Sequence, residues 1–574
     1  LTETCKKLVR RISRVKVPEN VRVALQAGAL GLLAGLSSVL FMRTIHFIYQ
    51  RTFLSFAAGT TPSFLLSSLL TLLVTSALVG LLLSVFSPDA AGSGIPQVKA
   101  AYWKDLGNIR LRSVAVKFLA GALSIGGGNS LGREGPSVFI GSGVAANADA
   151  LFGTPARGRR PAALIGASAG LAAAFNAPLA AIAFVIEEIV GDLNNRYLGR
   201  VVLSSVIGAF VVYALIGRQP AFALPPIENV SWLHYLLVPM VALAAALAGI
   251  FFQRAALGWR QRLRRQKRVP AWLLPVLGGL LTWVIGCAVF LAVGRIGVFG
   301  LGYEDLSSAL ANRFEWKVAG ILVVGKLLAT AVGYGFGGCG GIFAPTLFIG
   351  GMAGFFLGGL ARLWVPLAPA DPIVLAVVGM SACLGAVVRA PLTSMLIVFE
   401  MTHQFTLVPS LLLGTVISQA AARFAGKLNF YDAVLVQDGH ELHKIHPPVD
   451  LNGWQSLPVA AIANPSPVML QSLEPEEMRR KLEQYPFACF PLLEKGKVRG
   501  IVTRESLRQA LQAGSQPEVL KAAFCHPEQT VRDVGRKFLE SSAWVLVVVD
   551  RQTRAVRGIV TLHDLIRAQA AIQG

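Results

Sequence analysis

Charge is scarce in this sequence. Of 574 residues only 15% are charged, against roughly 25% in an ordinary soluble domain. Hydrophobic residues make up 54% and the mean hydropathy is +0.59, so much of the chain is predicted to face lipid. Acidic residues are the scarcer sign, 31 against 53 basic, which leaves a formal net charge of +22. A basic surplus can signal nucleic acid, but these basic runs lack interleaved aromatics, and no nucleic-acid partner is expected. They flank apolar spans instead. Lys6, Lys7, Arg10, Arg11, Arg14 and Lys16 precede the first span, and Arg260, Arg262, Arg264, Arg265, Lys267 and Arg268 link two later ones. Positive residues gather on the cytoplasmic side of membrane proteins, so both segments are predicted to be cytoplasmic. No signal-peptide pattern is read in the basic, amphipathic start, residues 1–20.

Cysteine is also sparse. Cys5, Cys287, Cys339, Cys383, Cys489 and Cys525 form no C-x-x-C pair, which argues against a zinc site and a disulfide framework. There is no G-x-x-x-x-G-K-[ST] loop, so ATP-driven pumping has no support. His440, His443 and His446 are three apart, but they precede Pro447-Pro448 and lack a fourth ligand. They read as a solvated linker, and no metal is expected.

Glycine is plentiful instead, with 58 residues. In transmembrane helices it permits close packing. Apolar stretches run nearly unbroken from about Val21 to Ala425, as in Val23–Ile48, Phe64–Phe86, Val201–Ile216, Leu236–Phe252 and Leu273–Val293. Others, such as Ser113–Ile125 and Phe343–Leu357, are shorter than the ~20 residues a span needs. These predict tilted or broken helices, whose irregular backbone must line a cavity because lipid cannot satisfy it.

An internal repeat organises this region. Lys117-Phe-Leu-Ala-Gly matches Lys326-Leu-Leu-Ala-Thr at an offset of 209, and Gly132–Gly141 matches Gly341–Gly350 at the same offset. Ala177-Pro178-Leu179 through Glu187 matches Ala390-Pro391-Leu392 through Glu400 at 213. Two halves with paired broken helices predict a transporter whose site lies at the repeat interface. Beyond Asn429 the chain turns polar. Val498–Thr503 recurs as Val556–Thr561, each copy following a β-rich run (Ala488–Leu493, Trp544–Val549) and preceding an amphipathic helix.

Three Gly-Pro motifs stand at predicted helix starts: Gly92-Ser93-Gly94-Ile95-Pro96, Gly132-Arg133-Glu134-Gly135-Pro136 and Gly340-Gly341-Ile342-Phe343-Ala344-Pro345. Proline suits a first helical turn, glycine lets the backbone approach a ligand, and the unpaired N–H groups attract anions. Three convergent starts would hold a small anion without a buried cation that would bind it too tightly to release. A rival from another class is a membrane serine hydrolase, because Gly166-Ala-Ser168-Ala-Gly170 fits G-x-S-x-G. It lacks a base: His46, His234 and His403 carry no supporting motif.

Together the three motifs, with Gly170–Pro178, Val388–Leu392 and Asn429-Phe430-Tyr431, resemble the CLC family of chloride channels and proton-coupled chloride transporters, bacterial type, over about residues 20–435. The resemblance implies an all-α membrane domain at 21–432 with about 18 helices, including broken and short ones, in inverted halves of about 21–220 and 230–432. It also implies a homodimer in the inner membrane with both termini cytoplasmic.

It further implies that Ser93 Oγ, the Tyr431 hydroxyl and the N–H groups of Ile342 and Phe343 bind a central chloride. The motif backbone of Gly92, Gly94, Gly132, Arg133, Gly135, Gly341 and Ala344 would surround them. Glu134 would be the protonatable gate, and Glu188 would receive protons from the cytoplasm. Glu187 is read as structural or as part of the water path, and Glu400 as an intersubunit or interhelical anchor. Serine rather than proline or methionine at position 93 implies chloride in preference to nitrate or fluoride. Glu188 favours exchange of chloride for protons, and a passive chloride channel on the same fold stays open as the alternative. No cofactor is expected.

The tail resembles a pair of α+β cystathionine-β-synthase (CBS) domains at 457–512 and 519–571, after a linker at 433–456. The resemblance allows an adenine nucleotide at Asp564, with Ser506 at the corresponding place in the first copy.

Overall fold

The computed structural model describes residues 18–155, 158–191, 197–218, 221–222, 224–225, 232–266, 268–440, 457–494, 497–541 and 544–572. The N-terminal basic residues, Lys267, His443, His446 and most of the expected linker lie outside them. Contacts divide the chain into two units, residues 1–446 and 447–574.

The first unit is helical. Its helices are α1 (Glu19–Tyr49), α2 (Thr61–Leu81), α3 (Ile95–Trp103), α4 (Leu111–Gly126), α5 (Glu134–Leu151), α6 (Arg160–Phe175), α7 (Pro178–Phe184), α8 (Leu198–Leu215) and α9 (Leu233–Arg265). The second half continues with α10 (Leu274–Val293), α11 (Tyr303–Leu310), α12 (Trp316–Gly335), α13 (Phe343–Ala361), α14 (Asp371–Val388), α15 (Pro391–Thr402), α16 (Val408–Ala425) and α17 (Phe430–Gln437). Among the described residues nine helical stretches are long and apolar enough to cross a membrane. Leucines and other large apolar residues recur every fourth position on their outer faces, as in Leu32, Leu36 and Leu40 on α1, Leu66, Leu70, Val74 and Leu78 on α2, and Leu243, Leu247 and Phe251 on α9. This spacing makes a continuous apolar stripe for lipid.

The repeat appears in the backbone as well. α6 and α14 end on the left-handed residues Asn176 and Arg389, and α7 and α15 then begin at Pro178 and Pro391. Proline cannot continue a preceding helix but fits a first turn, so each half breaks at the same place. α14 is buried throughout, and it packs on α13 where glycines face backbone: a side chain at Gly350 would overlap the Gly379 carbonyl. Such contact between backbones is how helices associate where lipid offers no hydrophobic drive.

Among the described residues the second unit holds two three-stranded sheets. β1 (Cys489–Glu494) and β2 (Lys497–Thr503) form an antiparallel pair that β3 (Val519–Leu520) extends. β4 (Ala523–Cys525) runs parallel to β5 (Val545–Val549), which pairs antiparallel with β6 (Val556–Thr561). Amphipathic helices follow β2 and β6, at Arg504–Ala513 and Leu562–Ile572. Residues 457–464, assigned to the first copy, pack with the second: Val459 lies in the core of Cys525, Val534, Leu546 and Val560, and Asn464 bridges to Ile559.

Candidate ion pathway

Backbone hydrogen bonds sew the three motifs together. Gly92 N–H donates to the Gly338 carbonyl at 3.3 Å, and Gly340 N–H donates back to Gly92 at 3.1 Å. Gly132 and Gly341 exchange bonds of 2.7 and 2.6 Å. The starts of α5 and α13 therefore meet, as the repeat predicted. Two glycines keep this space open. A Cβ at Gly135 would overlap Ser93 Oγ, and one at Gly132 would stand 2.5 Å from Glu134 Oε2.

Glu134, at the first residue of α5, is fully buried. Its carboxylate reaches across to the start of α13, where Oε2 accepts from Ala344 N–H at 3.4 Å. The helical ladder of α13 begins only with Thr346 N–H donating to Ile342, at 3.0 Å. The N–H groups of Ile342, Phe343 and Ala344 thus lie ahead of the ladder and are the ones a negative charge can use. Glu134 Oε1 accepts from the Tyr303 hydroxyl at 2.9 Å. Sequence reasoning missed Tyr303, since nothing local marks a tyrosine 169 residues away as a partner.

Ser93 Oγ and the Tyr431 hydroxyl are both buried and, among the described residues, have no hydrogen-bond partner of good geometry. They lie close to one another, and the Tyr431 ring stacks near Phe343 at 6.3 Å. A buried hydroxyl left unpaired costs about 1–3 kcal/mol. Two of them, converging on the helix starts, fit a small anion that accepts hydrogen bonds. Chloride would be substrate there.

Two fully buried lysines, the repeat mates Lys117 and Lys326, brace the loops around this region. Lys117 Nζ donates to the carbonyls of Ala90, Ala91 and Gly92 at 2.7, 3.4 and 2.7 Å. Lys326 Nζ donates to Gly297, Val298 and Gly300 at 3.0, 3.3 and 2.7 Å. Each uses all three donors on backbone, one behind Ser93 and the other ahead of Tyr303. Their donors are taken up by backbone carbonyls rather than offered to an anion.

Glu188 is buried, and it is not alone. Lys99 Nζ lies 3.0 Å from Glu188 Oε1 and 2.9 Å from Asp432 Oδ1. Asn429 Nδ2 donates to Glu188 Oε2 at 3.0 Å, while its Oδ1 caps α17 through Asp432 N–H at 2.7 Å. Lys99 therefore ties α3, which follows Ser93, to α17, which carries Tyr431. Neither Lys99 nor Asp432 was singled out from sequence.

The repeat mates Glu187 and Glu400 cap each other's half. Glu187 accepts from Leu392 N–H at 3.1 Å, Thr393 N–H at 2.8 Å and Thr393 Oγ1 at 2.7 Å, at the start of α15. Glu400 accepts from Leu179 N–H at 3.0 Å and Ala180 N–H at 2.7 Å, at the start of α7. Both are interhelical anchors, and for Glu187 the structural side of the expectation is the one the geometry displays.

Ser168 sits in mid-helix on α6, where its Oγ donates to the Val201 carbonyl at 3.1 Å. A nucleophile elbow needs a strand-to-helix turn, so the hydrolase pattern has no structural counterpart. In the tail, Asp564 Oδ2 accepts from its own Thr561, N–H at 2.9 Å and Oγ1 at 2.7 Å, so this carboxylate caps a helix. Ser506 Oγ accepts from Glu518 N–H at 2.7 Å.

Paired helix starts meeting between two repeats, within an apolar helical shell, define a membrane transport protein rather than an enzyme. Residues 72–423 match the family described as voltage gated chloride channel, and residues 519–571 match the CBS domain. The chain belongs to this chloride-channel (CLC) family and is a multi-pass membrane protein. It is 31% identical over 441 residues to the H(+)/Cl(-) exchange transporter ClcA of Vibrio campbellii (strain ATCC BAA-1116), covering 74% of this chain and 91% of that one. Among solved structures it resembles a slow cyanobacterial Cl-/H+ antiporter, with a TM-score of 0.66 and 25% identity over 73% of this chain and 98% of the other. A eukaryotic CLC transporter shares the fold with a TM-score of 0.59 and 21% identity, over 95% of this chain and 98% of that one.

Proposed function

We propose that this protein is a chloride/proton antiporter. The observation that carries the reading is a carboxylate beside available donors: Glu134 rests on the start of α13, next to the buried Ser93 and Tyr431 hydroxyls, which have no partner of good geometry among the described residues. Ser93 Oγ, the Tyr431 hydroxyl and the N–H groups of Ile342 and Phe343 bind the central chloride. Glu134 competes with chloride for the helix start while ionised and withdraws when protonated. Glu188 passes protons between the cytoplasm and Glu134. The relatives named as proton-coupled exchangers support this reading. No cofactor takes part.

The protein works in the inner membrane as a homodimer with one pathway per subunit. The basic end of α9, where Arg260 and Arg264 pair with Asp438, faces the cytoplasm with both termini. An adenine nucleotide at the tail would place its ribose at Asp564, whose Oδ2 caps the following helix through Thr561.

A passive chloride channel is the competing reading. It is favoured by Lys99, which ties Glu188 into an ion-paired cluster rather than leaving it open to water. The deciding experiment uses purified protein in liposomes, with a chloride gradient imposed, voltage controlled and external pH recorded. An antiporter drives protons uphill, and Glu134→Gln stops this while chloride still moves. Chloride movement without protons in the unmodified protein makes it a channel.

A further inference from the structure

Among the described residues, the side-chain donor on the Glu134 carboxylate is the Tyr303 hydroxyl, 2.9 Å from Oε1. This contact is built with unusual care. Tyr303 opens α11 directly after Gly302, which takes a left-handed conformation. The loop that delivers it is stapled by Lys326 to three carbonyls and by Asp305, whose Oδ2 accepts from Gly297 N–H at 2.8 Å. The Tyr303 ring packs edge-on against Phe222 at 5.2 Å, and Phe222 N–H is itself anchored to the Met401 carbonyl at 3.0 Å. The Arg133 guanidinium lies over the ring, 5.6 Å from its centroid. A phenol positioned from several sides offers its O–H at little entropic cost.

Helix-start N–H groups serve any anion alike. The phenol differs because it meets the carboxylate at its second oxygen. We infer that Tyr303 is a latch for the gate: its hydroxyl holds the Glu134 carboxylate in the helix-start seat and so sets the pH range over which transport runs. This rests on the assignment of Glu134 as the gate. Tyr303 keeps its own proton throughout, and the proton that moves resides on a Glu134 oxygen. Uptake of that proton removes the charge that makes the carboxylate a strong acceptor, so the latch weakens when the gate must leave. The other groups bearing on Glu134 are Arg133 on the same turn, Ala344 N–H on α13 and Tyr431 on α17.

The test is Tyr303→Phe, which removes the O–H and retains the ring beside Phe222 and Arg133. Chloride flux in liposomes is measured against pH for the unmodified protein, Tyr303→Phe, Glu134→Gln and the double variant. A hydrogen bond to a charged group is worth enough to move a titration by about one pH unit. The flux curve of Tyr303→Phe is therefore expected to move about one unit toward higher pH, with the proton-to-chloride ratio kept. The double variant should behave as Glu134→Gln alone. An unmoved curve, or one moved toward lower pH, overturns the latch while leaving Glu134 as the gate. Proton coupling that survives Glu134→Gln overturns both.

Discussion

Gly132 and Gly341 hydrogen-bond to each other in both directions, at 2.7 and 2.6 Å, across an offset of 209 residues. This two-residue ladder joins the repeats at equivalent points. It sets the starts of α5 and α13 so close that an acid on one helix, Glu134, uses the N–H groups of the other.

That closeness makes Gly132 a sensitive position. Gly132→Ala would place a methyl 2.5 Å from Glu134 Oε2 and 3.2 Å from Ala344 N. Overpacking of this kind costs about 1–3 kcal/mol, which lowers occupancy of the seat about fivefold or more. Chloride flux should rise and protons per chloride should fall in the liposome assay. A variant with normal coupling would mean that the carboxylate does not depend on this seat.

The central site can be probed without transport. Ser93→Ala and Tyr431→Phe each remove one hydroxyl donor, and a hydrogen bond to an ion is worth about 1.5–3 kcal/mol. Each variant should bind chloride about ten- to a hundredfold more weakly by calorimetry, and the pair more weakly still. Affinity unchanged in both would leave the two unpartnered hydroxyls without this role.

Much of this arrangement was legible because helix starts are written locally. Gly-Ser-Gly-Ile-Pro or Gly-Ile-Phe-Ala-Pro carries its own geometry in adjacent residues, and the repeat then says which starts face each other. Tyr303 and Lys99 were not legible, because their meaning lies in partners 169 and 333 residues away. Asp564 shows the opposite case. The pattern that suggested a ribose ligand also encodes a helix cap on Thr561, three residues back, and the cap is what the carboxylate makes. The surroundings of residues 457–464 were not legible either, since Val459 packs in the core under Leu546 and Val560, and Asn464 bridges to Ile559.

The Lys99 cluster should matter for stability as well as proton delivery. Removing one member of a buried ion pair costs about 3–5 kcal/mol, because the other charges stay buried. Lys99→Met should therefore melt well below the unmodified protein in detergent. Adding Glu188→Gln should recover part of the loss, while Glu188→Gln alone cuts proton flux more than chloride flux. If Lys99→Met melts normally, the cluster is open to water and the ion pair contributes little.

Glu187 and Glu400 differ from Glu188 in what they should affect. Glu400→Ala leaves Leu179 and Ala180 N–H groups unpaired, and a lost helix cap costs about 1–2 kcal/mol. A lower melting temperature with unchanged protons per chloride is expected for Glu400→Ala and for Glu187→Ala. A changed ratio in Glu187→Ala would place that residue on the proton route instead.

The reciprocal caps also bear on how the chain is made. Glu400 emerges 220 residues after Ala180, which it caps. At about 5–20 residues per second, the start of α7 waits on the order of 10–40 s for its acid. Unpaired N–H groups in lipid cost several kcal/mol each, so the early half sits in the bilayer as an intermediate with an open end. Its completion waits on the ribosome. A chain cut between the repeats would yield two unfinished pieces, each holding the part the other needs.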